Sequence, residues 1–179
     1  PELFNDSVEN NILLGDSKNS DTYLNAACMK QEVAEMTDGK NTLIGSGGAY
    51  LSGGQAKRLA FARTLCHDKP ILILDDPFSA LDKNTEKQAF INLQALAKDS
   101  IVLLISHRLY LFPEMDGVIW MENGKAVTGT HEELLKIVPE YKSLYTSQVH
   151  TTENGGAEHD AQKTSETVSY THLRAHETA

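Results

Sequence analysis

The stretch ILILDDPFSALDKNTEKQAFINLQALAKDSIVLLI, residues 71–105, decides the fold. Two uninterrupted Ile/Leu/Val runs, 71–74 and 101–105, flank a segment in which Ala89, Phe90, Leu93 and Leu96 recur at helical spacing. Apolar runs this short predict strands buried on both faces, as in a parallel sheet covered by helices. Strand, helix and strand in one direction make a βαβ unit, so the expected fold class is α/β. A third run, VIWM at 118–121, predicts another strand that places Trp120 in the core, and Asn123-Gly124 after it predicts a hairpin turn.

Upstream, PELFNDSVENNILLGD at 1–16 reads as a loop and a short helix, capped by Asp6 or Ser7 and ended at Gly15. A second helix is expected from Ser20, as its cap, to the turn at 37–41. The glycine-dense GSGGAYLSGGQ then leads into AKRLAFARTL. There Ala56, Leu59, Ala60 and Arg63 share one helical stripe, and Leu59, Ala62 and Leu65 another. Residues 131–148 return to helix. From about 149 the chain is polar and aperiodic, which predicts a disordered tail over 149–166. Residues 167–179, ending in HLRAHETA, resemble a non-native extension and are set aside from the fold. The pair His172 and His176 in that extension has metal-compatible spacing but lacks the Glu of H-E-x-x-H.

Bulk properties narrow the function classes. A chain of 179 residues fits one domain or slightly less, and its 40% hydrophobic and 23% charged residues are ordinary for a globular protein. The net charge of −9 opposes broad nucleic-acid binding, which needs surplus Lys and Arg to neutralise phosphates. The two cysteines, Cys28 and Cys66, have no C-x-x-C spacing and read as buried thiols of a reducing compartment. No run approaches the roughly 20 apolar residues of a membrane span. The first residue is Pro1 rather than Met, so the chain is expected to be a piece of something longer.

The chemistry-bearing residues form an ordered series. LSGGQ, 51–55, puts a serine and two glycines where a helix begins, and helix N-termini offer unpaired N–H groups to anions. On those five residues alone, a phosphate site and a plain capping turn are equally good readings. Asp75 and Asp76 close the first apolar run, where an α/β protein places a Mg²⁺ ligand and where a second acid can face a water as general base. Asp82 ends the SALD stretch, and His107 follows the neighbouring strand in LLISHR. Singly, a strand-end Asp is often a turn former and a lone His is usually structural.

In this order the motifs closely resemble those of the ATP-binding cassette (ABC) family. LSGGQAKRLAFARTL is similar to its signature, ILILDD to its Walker B strand, SALD to its D-loop and LLISHRL to its switch-histidine segment. The resemblance covers residues 1 to about 148, with a helical subdomain at about 5–66 and a Walker B to switch-histidine core at about 67–148. It implies a P-loop NTPase-like parallel sheet, incomplete at the N-terminus. NTLIGSGGAY resembles the segment before the signature in exporter-type members, which usually carry an acidic residue where this chain has Ser46.

The resemblance further implies that Ser52, Gly53, Gly54 and Gln55 contact the γ-phosphate of ATP held mainly by a partner domain. It implies Asp75 as the Mg²⁺ ligand through water, Asp76 at the position of the usual glutamate base, Asp82 at the domain–domain contact, and His107 on the γ-phosphate. The implied partners are a second nucleotide-binding domain, arranged head to tail, and transmembrane domains, at the cytoplasmic face of the cell membrane. No nucleic-acid partner is expected.

Two departures qualify this. No G-x-x-x-x-G-K-[ST] occurs: Gly48 to Gly53 has the glycine spacing, but Gly54-Gln55 follows where Lys and Ser/Thr are required. The chain is therefore expected to be the C-terminal part of such a domain, cut inside its Q-loop and unable to bind or hydrolyse ATP alone. Asp76 is one methylene shorter than glutamate, which points to a low-turnover site; the alternative is that a slight backbone shift lets Asp76 serve adequately. The competing readings are a non-transport ABC ATPase of DNA maintenance or translation, and a non-catalytic regulatory half-domain.

Overall fold

The computed structural model describes residues 2–45, 49–79, 81–153 and 169–173. Ser46, Ala80 of the D-loop, His176 and the tail over 154–166 lie outside the described residues. The chain divides into two compact units, the first mainly Pro1–Leu72 with Pro77–Ser100, the second Ile73–Asp76 with Ile101–Arg174.

The first unit is largely helical. A two-residue strand β1 (Asp6–Ser7) leads into α1 (Val8–Leu13), whose N-cap is Ser7, accepting from Asn10 N. Leu14 and Gly15, at φ 48° and 89°, end it in the left-handed conformation that suits glycine. Where the sequence predicts one helix from Ser20, there are two, α2 (Ser20–Ala26), capped by Asn19, and α3 (Lys30–Ala34). The break is at Cys28, which takes φ 53° and turns its carbonyl toward Arg58 Nη1, 3.1 Å away. β2 (Leu43–Ile44) pairs antiparallel with β1, and α4 (Gly53–Cys66) follows. On α4, Leu59, Phe61, Ala62 and Leu65 are buried, against a core that includes Val8, Ile12, Leu24 and Met29. Later in the chain, α5 (Lys83–Leu96) buries Ala89, Phe90 and Leu93 as expected, while Leu96 is partly exposed.

The second unit holds the sheet. β3 (Ile71–Asp75) closes in it, followed by β4 (Ile101–Ile105), the hairpin β5 (Gly117–Glu122) and β6 (Lys125–Gly129), and β7 (Ser169–Leu173), in the spatial order β3-β4-β7-β5-β6. The α/β class stands, but the sheet is mixed rather than parallel throughout. Asp76 N donates to Ile105 O at 2.8 Å, so β3 and β4 end at the same edge and run in parallel. β5 and β6 are antiparallel because Asn123 and Gly124, at φ 48° and 72°, form the two-residue turn expected there.

β7 lies antiparallel to both β4 and β5, although residues 167–179 read as lying outside the fold. Backbone demand explains the difference. β4 and β5 do not pair with each other, and a strand between them satisfies the ladder groups of both. A second correction concerns burial. β3 alternates, with Leu72 and Leu74 buried and Ile71 and Ile73 more than half exposed, because the pleat sends successive side chains to opposite faces and one face of this edge strand is uncovered.

After the sheet come α6 (His131–Ile137) and α7 (Pro139–Glu153), so the single helix expected at 131–148 is broken before Pro139 and continues beyond 148. Trp120 is core, edge-on to Tyr141 at 5.4 Å. Tyr141 Oη lies 2.6 Å from His131 Nδ1, and both side chains are buried. Burial pushes the His131 pKa below the usual histidine value, with the Glu132 charge opposing. The native state therefore stays neutral where the unfolded chain binds a proton, so stability is lost as pH falls below about 6.5, down to the depressed native pKa. The unfolding midpoint is expected to be lower at pH 5 than at pH 7, and less so in His131→Gln. Equal pH slopes in the two proteins would assign the acid sensitivity to other groups.

Candidate functional site

In the first unit the signature turn is built by reciprocal hydrogen bonds. Ser52, extended at φ −61° and ψ 159°, caps α4 with its Oγ accepting from Gln55 N at 3.2 Å, while Ser52 N donates to Gln55 Oε1 at 2.9 Å. This capping box uses a lone pair of the Ser52 hydroxyl and leaves its hydrogen free to be donated outward. The N–H groups of the first helical turn, Gly53 and Gly54 included, have no intrahelical acceptor. Ser52 and Gly53 are exposed, and a Cβ at Gly53 would meet nothing within 4 Å among the described residues.

The Gln55 side chain also supports the turn from behind. Its Oε1 is taken by Ser52 N, and its Nε2 donates to Glu32 Oε2 at 3.1 Å. Glu32 in turn receives both terminal nitrogens of Arg58. The Arg58 hydrogen bonds hold the Glu32 carboxyl below the usual glutamate pKa. Nearby in the chain, Lys57 Nζ donates to Ser79 Oγ at 2.8 Å. Asp82 caps α5, its carboxylate accepting from Asn84 N, Thr85 N and the Thr85 hydroxyl. The Thr85 hydroxyl bond, foremost, holds its pKa low.

In the second unit three expected residues share one sheet edge. Asp75 ends β3 and is exposed, Asp76 follows it, and His107 sits two residues past the end of β4, exposed as well. The Asp76 N to Ile105 O bond ties the two strand ends together. Asp76 adopts φ 45°, a left-handed conformation that aspartate tolerates better than most side chains. The His107 turn is clamped from α7: Gln148 Nε2 donates to His107 O at 2.7 Å, and Gln148 Oε1 accepts from Leu109 N at 2.8 Å. Neither Gln148 nor Glu32 is marked in the sequence by motif or spacing.

Among the described residues no group of three His, Cys, Asp or Glu side chains could hold a metal ion. A single exposed carboxylate at a strand end nevertheless fits Mg²⁺, which keeps several waters and takes the rest of its oxygens from phosphate. The free thiols are not equivalent: Cys66 is buried and Cys28 only partly so, and burial raises the pKa of each.

Residues 2–79 match a family model described as ABC transporter. An ATP-dependent lipid A-core flippase of Desulfotalea psychrophila is 38% identical over 151 residues, 82% of this chain and 26% of that protein. One from Burkholderia thailandensis is 41% identical over 150 residues, covering 82% and 25%. P-glycoprotein 14 of Caenorhabditis elegans is 37% identical over 153 residues, 83% of this chain and 12% of that protein. The structure of a bacterial Atm1-family ABC exporter with ATP bound superposes with a TM-score of 0.73 at 32% identity, covering 82% of this chain and 27% of that one. The chain belongs to the ABC transporter family. It spans about a quarter of the length of the flippases it matches.

Proposed function

We propose that this chain supplies the signature, Walker B, D-loop and switch-histidine parts of an ATP-hydrolysing domain that drives an exporter. The observation that carries this reading is the capping box at Ser52, which leaves the serine hydroxyl and the first-turn N–H groups of α4 as outward donors for a phosphate. Three further residues support it, Asp75, Asp76 and His107 at one sheet edge. The relatives, named as a flippase and a P-glycoprotein, favour transport over DNA maintenance or translation.

In this reading Ser52, Gly53 and Gly54 donate to the γ-phosphate of an ATP whose other phosphates rest on a partner nucleotide-binding domain, arranged head to tail. Gln55 holds Ser52 in place. Asp75 is the residue that would hold Mg²⁺, through water, and the ion would supply charge neutralisation on the phosphates. At the nucleotide facing this chain's own sheet edge, Asp76 would orient and deprotonate the attacking water, and His107 would donate to that nucleotide's γ-phosphate. Asp82, besides capping α5, lines the contact with the partner domain. Transmembrane domains complete the assembly, with this part at the cytoplasmic face of the membrane. Among the described residues no helix is long and apolar enough to cross one.

The test is ATP hydrolysis by the full-length polypeptide in membrane vesicles. Ser52→Ala is expected to lower kcat about 100-fold, far more than its cap loss of about 1 kcal/mol would cause through unfolding. Hydrolysis at the parental rate in Ser52→Ala would refute the phosphate role of the signature turn.

A further inference from the structure

The chain of bonds behind the signature turn points to a residue that no motif contains. We propose that Glu32 is a positioning residue for ATP hydrolysis, holding the Ser52 donor in register by anchoring Gln55; this rests on the phosphate reading of Ser52.

Three bonds converge on the Glu32 carboxylate: a fork from Arg58 Nη1 and Nη2, and the amide of Gln55. Arg58 is 9% exposed; among the described residues its Nε is buried without a hydrogen-bond partner, and Nη1 also donates to the carbonyl of Cys28. The guanidinium thus depends on both Glu32 oxygens for its countercharge. Gln55 has one side-chain amide, and that amide has two tasks. Its oxygen holds Ser52 N, and its nitrogen is held by Glu32. Without Glu32, Gln55 loses the contact that fixes its χ angles, and the Ser52 N–H loses a fixed acceptor. The hydroxyl that faces the phosphate then rotates with the freed turn. Glu32 stands on α3 and the others on the first two turns of α4, so one carboxylate links two helices behind the donor set.

Because Glu32 acts through Gln55, its removal should affect the chemical step rather than nucleotide capture. In the full-length polypeptide, Glu32→Ala is expected to lower kcat for ATP hydrolysis about 10-fold with KM for ATP changed less than about 2-fold. In a Gln55→Ala background the same substitution should cost nothing further, since both act through one bond. Additive losses in the double variant, or an unchanged kcat in Glu32→Ala, would overturn the assignment. Amide hydrogen exchange on the full-length polypeptide guards against misfolding as the cause. Ser52 and Gln55 amides should exchange at least about 10-fold faster in Glu32→Ala while Leu59 to Leu65 keep their protection; uniform acceleration along α4 would mean a role in stability only. Ser52→Ala separates the two ideas: if it is inactive while Glu32→Ala is fully active, only the present inference fails, and if Ser52→Ala is fully active, the phosphate reading fails with it.

Discussion

Asp76→Glu in the full-length polypeptide is expected to raise ATP turnover by about 10- to 100-fold. The backbone at this position is pinned, its N–H bonded to Ile105 O at 2.8 Å, so the reach of the carboxylate is set by side-chain length. One methylene adds about 1.5 Å, which is the scale on which proton transfer to or from a lined-up water succeeds or fails. A cost accompanies the gain. Asp76 sits at φ 45°, where glutamate is less at ease than aspartate, and a stability loss of up to about 1 kcal/mol is expected. The two effects are measured separately, as steady-state hydrolysis and as the unfolding midpoint. A variant that folds with the expected midpoint yet hydrolyses no faster would show that carboxylate reach does not limit turnover, and the low-turnover reading of this site would fall.

Phe78→Ala is expected to have the largest effect on stability, about 3–5 kcal/mol. Phe78 is 2% exposed and meets Phe61 of α4 edge-on, with ring centroids 5.4 Å apart and planes at 83°. That geometry adds quadrupolar attraction to the burial of a large apolar surface. Together with the Lys57–Ser79 bond, Phe78 fixes the start of the loop before Asp82 to α4. Truncation leaves a cavity on the buried face of α4 and frees the loop at once. Thermal unfolding should fall by more than about 10 °C. A shift of only a degree or two would mean that Phe61 and its neighbours close over the gap, and that the loop is held by Lys57 and Asp82 instead.

The fold class and the shared edge of Asp75, Asp76 and His107 were legible in residues 71–107, because a βαβ unit leaves little freedom in how its strands are placed. Asn123-Gly124 and Ser52 were legible for a similar reason: turn and cap chemistry is local, set by a few neighbouring residues and their φ values. Tertiary contacts decided the rest. Cys28 breaks a helix that its local propensity favours, with its carbonyl turned toward a guanidinium thirty positions away. Glu32 and Gln148 support the signature and His107 turns from distant helices, and nothing in their own sequence neighbourhood records the partner. Ser169–Leu173 reads as polar tail, yet it completes the sheet, because unpaired backbone groups on β4 and β5 accept any strand that can reach them. Short-range stereochemistry and hydrophobic period are written in the chain residue by residue. Long-range hydrogen-bond partners are not, since they depend on which surfaces meet only after the elements have formed.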